Sequence, residues 1–214
     1  MHCIALLFSV VTLLTTTLTT PALADPILNE VCYDGVGADA DEVFTEIFGD
    51  AGTSLTGWSL RGINGLNGST YRTISLTGMT IPADGVLVLA TSSATGSVLG
   101  ARDYTASVDW QNGPDAVQLL NASGTIVDAL QYGDAGVYNA GEGAYAADVL
   151  AGYSLSRDLL GTDTNVNADD FTAFSTPTPG VGPTPAVPEP ATLFLMGAGA
   201  VGLVVRRRRA RRML

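Results

Sequence analysis

The side chains of this chain that can do acid–base or ligand chemistry are almost all carboxylates. Its one histidine is His2 and its two cysteines are Cys3 and Cys32. A His-based triad, a His or Cys zinc site and CxxC redox chemistry therefore have no residues to work with in the body of the chain. Lysine is absent, and six of the ten arginines (Arg206, Arg207, Arg208, Arg209, Arg211 and Arg212) crowd the C-terminus. Between Asp25 and Pro190 this leaves 21 acids against four arginines, a formal −17. Such a body repels phosphate backbones, which excludes nucleic acid as its partner.

Oxygen-only donors suit calcium, and two acidic loops offer them. The first holds Asp34, Asp39, Asp41 and Glu42; the second holds Asp163, Asn165, Asn167, Asp169 and Asp170. Asp163, Asn165 and Asn167 have the 1, 3, 5 spacing of an EF-hand loop, but the sixth position is Ala168 instead of Gly and the twelfth is Phe174 instead of Glu, so that motif fails. Two readings stay open: a looser calcium site with Asp163, Asn165 and Asn167 as its candidate ligands, and solvated turn carboxylates on an acidic surface. Glu30 and Glu46 are a candidate acid/base pair for a glycosidase, a chemistry that needs no histidine. Strand alternation turns Glu30 outward, however, and no sugar-stacking cleft accompanies the two tryptophans, Trp58 and Trp110. No catalytic residue is assigned. Cys32, alone once a leader is removed, reads as a small core residue or as half of an intermolecular disulfide.

The elements that must position these residues are strands. Short alternating or β-branched runs recur between Gly, Asn and Asp turns at 27–31, 43–48, 57–60, 72–76, 86–90, 116–120, 125–131, 153–157 and 171–174, and no segment sustains a 3.6-residue period. Nine short strands predict an all-β sandwich. In 43–48 both alternating sets, Val43/Thr45/Ile47 and Phe44/Glu46/Phe48, suit burial, so this strand is expected to be central and covered on both faces. Asn121-Ala122-Ser123-Gly124 reads as a hairpin connection whose glycine takes positive φ. The sequons at Asn67 and Asn121 are read as turns.

Both ends read as targeting segments. Residues 1–24 read as a signal peptide: Ile4 to Leu14 are apolar apart from Ser9 and Thr12, a Thr-rich stretch follows, and Pro21-Ala22-Leu23-Ala24 sets the cut between Ala24 and Asp25 with Ala22 and Ala24 at the recognised positions. Residues 25–180 are the sandwich, and 181–187 a Pro-rich linker in extended conformation. Residues 188–214 begin with Pro188-Glu189-Pro190, continue through an uncharged transmembrane helix at 191–205 and end in a basic tail at 206–214. That helix would span roughly 22 Å against a hydrocarbon core of roughly 30 Å, so it is a marginal anchor. Its flanking arginines hold the tail in the cytoplasm and leave the acidic body outside.

Val187-Pro188-Glu189-Pro190, the apolar stretch and the arginine cluster together resemble the PEP-CTERM sorting signal of Gram-negative bacteria. The resemblance implies an exosortase as processing partner, with Pro188, Glu189, Pro190 and Arg206 to Arg209 as the sorting residues. It also implies substrates exported in species that often make extracellular polysaccharide. Within the body, Ile27-Leu28-Asn29-Glu30-Val31, Glu42-Val43-Phe44-Thr45-Glu46-Ile47-Phe48 and Leu55-Thr56-Gly57-Trp58-Ser59-Leu60 resemble the opening of a lamin tail domain. The likeness continues through Ile81-Pro82-Ala83-Asp84-Gly85, Asn112-Gly113-Pro114-Asp115, Ser154-Leu155-Ser156-Arg157 and Asp170-Phe171-Thr172, interrupted by a Gly/Ala-rich insertion at 134–152. It implies an immunoglobulin-like sandwich without catalytic residues of its own, with Trp58 in the core.

The function expected from these readings is an exported, non-enzymatic structural or interaction module. It passes signal peptidase, is held briefly at the inner membrane with its body on the periplasmic side, and reaches the cell surface or matrix. A calcium-dependent binder of extracellular polysaccharide is the alternative, and a carboxylate-based hydrolase the weaker one.

Overall fold

The computed structural model describes residues 25–133 and 135–184. The signal peptide expected at 1–24, the sorting residues expected from Pro188 to Pro190, the helix expected at 191–205 and the arginine tail lie outside these residues. No helix among the described residues is long and apolar enough to cross a membrane.

Two antiparallel layers enclose the core. The larger sheet uses β1 (Ile27–Cys32), β2 (Phe44–Phe48), β5 (Val86–Ala90), β6 (Tyr104–Thr105), β9 (Ser154–Ser156) and β10 (Thr172–Phe174) in the order β10-β9-β1-β2-β5-β6. The smaller uses β3 (Ser59–Asn64), β4 (Thr70–Ser75), β7 (Asp115–Leu120) and β8 (Ile126–Tyr132) in the order β4-β3-β7-β8. All nine expected strands have a counterpart. The third begins two residues later than expected and runs on to Asn64. The strand not foreseen is β6, two residues paired parallel to β5 after the short helix α1 (Gly96–Ala101). A two-residue strand has no alternation to read.

Leu28, Val31, Ile47, Leu60, Leu87, Leu89, Val117, Leu119, Leu130 and Leu155 fill the space between the sheets. On the other face of the larger sheet Cys32, Phe44, Val86, Val88 and Ala90 form a second apolar cluster with Ala94 and Val98. β2 is therefore central and covered on both sides, as its two apolar sets require. A β-bulge between Leu28 and Val31 lets both of these residues point into the core although they are three apart.

The core indole is Trp110 and not Trp58. Trp110 is buried and its Nε1–H donates to Thr45 Oγ1 at 2.9 Å, whereas Trp58 is only partly buried. In the same core Tyr33 and Tyr132 stack on each other with centroids 4.1 Å apart. The hairpin between β7 and β8 forms as read: Gly124 has φ +79°, and Asn121 Oδ1 accepts from the amides of Ser123 and Thr125.

The described part of the insertion, 135–152, lacks regular structure yet is tied down by side chains. Gln131 Oε1 accepts from the amides of Ala140 (2.8 Å) and Gly141 (2.9 Å), and Gln118 Nε2 donates to Ala140 O. Tyr33 Oη donates to Asp148 Oδ1 and accepts from the Val149 amide. Ala146 and Val149 are buried at the edge of the main core. The packed chain also runs four residues beyond the expected boundary at 180, since Pro183 is buried and the Thr184 amide donates to Leu159 O at 2.8 Å.

Candidate functional site

Two groups of buried carboxylates use the polar chemistry of the body. The first surrounds Arg157, which follows β9 and is wholly buried. Its Nε donates to Leu28 O (2.8 Å), Nη1 to Thr162 O (2.7 Å) and Nη2 to Asp128 Oδ1 (2.9 Å). Asp163 and Asp170 each bring an oxygen to 3.4 Å from Nη1. The Phe171 ring lies under the guanidinium, 4.4 Å from its carbon to the ring centroid. One cation thus fastens β1, β8, β9 and the 162–170 loop together.

Glu142 closes this group from the insertion. Asp128, Glu142 and Asp163 each have a carboxylate oxygen within 4.8 Å of the others, the one such triple of metal-binding residue types among the described residues. Burial, then the charges of Asp128 and Asp163, raise the Glu142 carboxyl to about 7. Its Oε2 is buried with no hydrogen-bond partner among the described residues. Burial also raises Asp128, opposed by the Arg157 guanidinium and the Leu28 amide, which donates to Asp128 Oδ2 at 2.6 Å. Asp170 goes the other way: burial alone would raise it, but donors on Thr164 and Val166 bring it below its usual range. The node holds one guanidinium against three aspartates and Glu142, an oxygen-only set with excess negative charge of the type calcium takes.

Of the ligands expected from sequence, Asp163 belongs to this triple. Asn167 has another role. It is fully buried, its Oδ1 accepts from the amides of Gln131 (2.8 Å) and Glu142 (3.0 Å), and its Nδ2 donates to Ala129 O (2.7 Å). With both lone pairs of that oxygen engaged it has none left for a metal. Asn165 is an exposed turn residue at φ +59°, its amide donating to Asp163 Oδ1. The first acidic loop supplies no such cluster among the described residues. There Asp39 to Asp41 form one 3₁₀ turn, and Glu42 Oε2 caps the Val36 amide. Asp34 is raised by burial and by Asp39 and Asp148.

The second group is Glu30 with Glu46. Both are completely buried on the outer face of the larger sheet, covered by the C-terminal strap of residues 177–184. Glu30 accepts from the Thr178 amide (3.0 Å) and hydroxyl (2.8 Å), and from the Ser154 hydroxyl. Glu46 accepts from the Gly180 amide and from Asn29 Nδ2 (2.9 Å). Burial raises Glu46 to about 8, against those two donors and with help from the nearby Glu30 charge. Gly182 is required where the strap crosses β5, because a Cβ there would stand 2.1 Å from Val86 Cγ2. Cys32, in the same outer layer, is buried with its thiol pushed up to about 12, chiefly by burial, and behaves as a small apolar residue.

Sequence reasoning missed Asp128 and Glu142. Asp128 reads as one more polar residue in an alternating strand. Glu142 stands as the sole acid between Asp134 and Asp148 in a Gly/Ala-rich run, which was its only signal.

Comparison with known families matches residues 19–134 to the Lamin Tail Domain, just over half of the chain. The chain belongs to the lamin tail domain family. The match ends where the insertion begins, while β9 and β10 complete the larger sheet beyond it. A second match places a PEP-CTERM protein-sorting motif at residues 186–209, which marks an exported protein sorted by an exosortase. A search of curated proteins returns no match.

Proposed function

We propose that this lamin tail domain protein is a non-enzymatic interaction or structural module of the cell surface or extracellular matrix. Signal peptidase releases 1–24, the C-terminal segment holds the body briefly on the periplasmic face of the inner membrane, and an exosortase trims the chain near Pro188-Glu189-Pro190. The observation that carries this reading is the sorting motif at 186–209, directly after a body that packs to Thr184. Glu189 is the residue for the enzyme to read, being the only charge between Asp170 and Arg206. The hydrolase reading loses support because Glu30 and Glu46 are sealed beneath the strap, with their oxygens taken by protein donors. The Asp128/Glu142/Asp163 triple favours the second reading, a calcium-dependent polysaccharide binder.

Intact mass spectrometry of the protein from its native host tests the main reading. The wild type should lack Arg206 to Arg212, whereas Glu189→Ala and an exosortase deletion should keep them. A wild-type surface protein that retains its arginine tail would refute processing.

A further inference from the structure

At the end of the sandwich where β1 begins and β2 ends lies a half-open groove of about 530 Å³. Its floor is apolar, made by Ile27, Phe48, Val127 and Leu160, and Leu160 is 73% exposed. Its lining also carries four carboxylates, Asp25, Asp50, Asp84 and Asp163, and no basic residue; Asp84 Oδ1 accepts from the Val86 amide at 3.2 Å, which leaves its other oxygen for a partner. The nearest guanidinium, Arg157, is buried behind Asp163 and faces the interior.

The layout decides what kind of cation fits. A divalent ion needs carboxylates that converge, and among the described residues the one convergent triple is Asp128, Glu142 and Asp163, of which only Asp163 reaches the groove. Asp25, Asp50 and Asp84 belong to no such triple and share the lining with apolar side chains. Spaced anions around an apolar surface match side chains with an aliphatic stem and a charged head, the stem lying on the floor and the head reaching the rim. Arginine and lysine have that form, and arginine adds bidentate pairing with carboxylates. The chain has no lysine and its body only four arginines, and the six arginines at 206–212 are the ones that the sorting reading holds in the cytoplasm and then removes, so on that reading the fitting groups come from a partner. We propose that this groove is a docking site for a basic segment of a partner protein, with Arg or Lys stems on Ile27, Phe48, Val127 and Leu160 and their heads on Asp25, Asp50 and Asp84. The overall −17 of the body would speed encounter, and the groove would supply the specificity. This rests on the reading of the protein as an interaction module, and its failure would leave the sorting and processing of the chain untouched.

The test is fluorescence polarisation on the full-length chain in a neutral detergent at about 50 mM NaCl, with a labelled nonapeptide of alternating arginine and alanine as probe. The reference and every variant carry glutamine in place of Arg206, Arg207, Arg208, Arg209, Arg211 and Arg212, so that the tethered tail does not compete with the probe for the groove. Binding in the micromolar range is expected, weakened about tenfold in Asp50→Asn/Asp84→Asn. Leu160→Ser should weaken it about threefold through the lost apolar floor, while Asp39→Asn/Asp41→Asn, an equal loss of charge elsewhere, should change it less than twofold. The groove variants alter exposed side chains and the control pair half-buried ones, and unchanged melting would show that the fold is kept. Equal weakening by the two aspartate pairs would overturn the site in favour of general charge attraction. So would stronger competition by hexaglucosamine than by unlabelled peptide, or complete displacement by 1 mM CaCl2 but not by NaCl of matched ionic strength.

Discussion

Glu46→Gln tests the electrostatics of the strap. Burial holds the Glu46 proton so firmly that its pKa rises from 4.5 to about 8, so the folded state binds a proton that the unfolded chain releases between these values. Stability must then fall as pH rises through this window and level off above it. Each pH unit is worth about 1.4 kcal/mol, so three units between pH 5 and 8 amount to roughly 4 kcal/mol for this one group. Glutamine removes the titration while keeping the shape. Its amide can donate where the protonated carboxyl does, because Asn29 Oδ1 is buried with no partner among the described residues and a flip of that amide would present it as the acceptor. The variant should match the wild type within about 1 kcal/mol at pH 5 and exceed it by roughly 3–4 kcal/mol at pH 8.5. Urea unfolding of residues 25–184, followed by the fluorescence of buried Trp110, measures both. Other carboxylates titrate too, but they cancel in the difference between the two proteins. A difference that stays constant from pH 5 to 8.5 would refute the reasoning and mean that Glu46 is ionised when folded.

Three other outcomes follow from the site. Arg157→Met leaves Asp128 and Asp170 buried without their cation and should cost roughly 3–5 kcal/mol in urea unfolding, less at pH 4, where the carboxyls protonate. Asn167→Ala orphans the amides of Gln131 and Glu142 and should cost roughly 2–4 kcal/mol, accompanied by faster hydrogen exchange across 139–142. If calcium occupies the Asp128/Glu142/Asp163 triple, millimolar Ca²⁺ should raise Tm beyond NaCl of the same ionic strength, and Asp163→Ala or Glu142→Gln should abolish the excess; identical melting in the two salts would retire that reading.

The fold was legible because most of its signals are local. Val43 to Phe48 announced a strand covered on both faces, and Asn121 to Gly124 announced a hairpin, from periodicity and turn chemistry alone. The site was legible only in part, because its partners meet through tertiary structure. Asp163 was visible in an acidic loop, but the two residues it joins come from β8 and from an insertion with no period. Asn167 shows the converse. Its spacing from Asp163 copied a metal loop, while its actual work is to hydrogen-bond β8 to that insertion. Glu30 was correctly expected to face away from the core, yet no local pattern foretold that a segment nearly 150 residues later would cover it.

That covering segment also sets a length. The last of the described residues fixed to the body is Thr184, and three residues separate it from Pro188, a reach of at most about 14 Å even fully extended. On the proposed reading of a C-terminal segment engaged at a membrane, an enzyme at Pro188-Glu189-Pro190 would work almost against the wall of the sandwich while the strap is seated, and the domain would stand close to the lipid surface. Peeled back to the end of β10 at Phe174, the same chain extends about 50 Å. If the C-terminal segment is attached, the contacts of Thr178, Gly180 and Thr184 would act as a catch on a tether, setting how far the domain stands from that point.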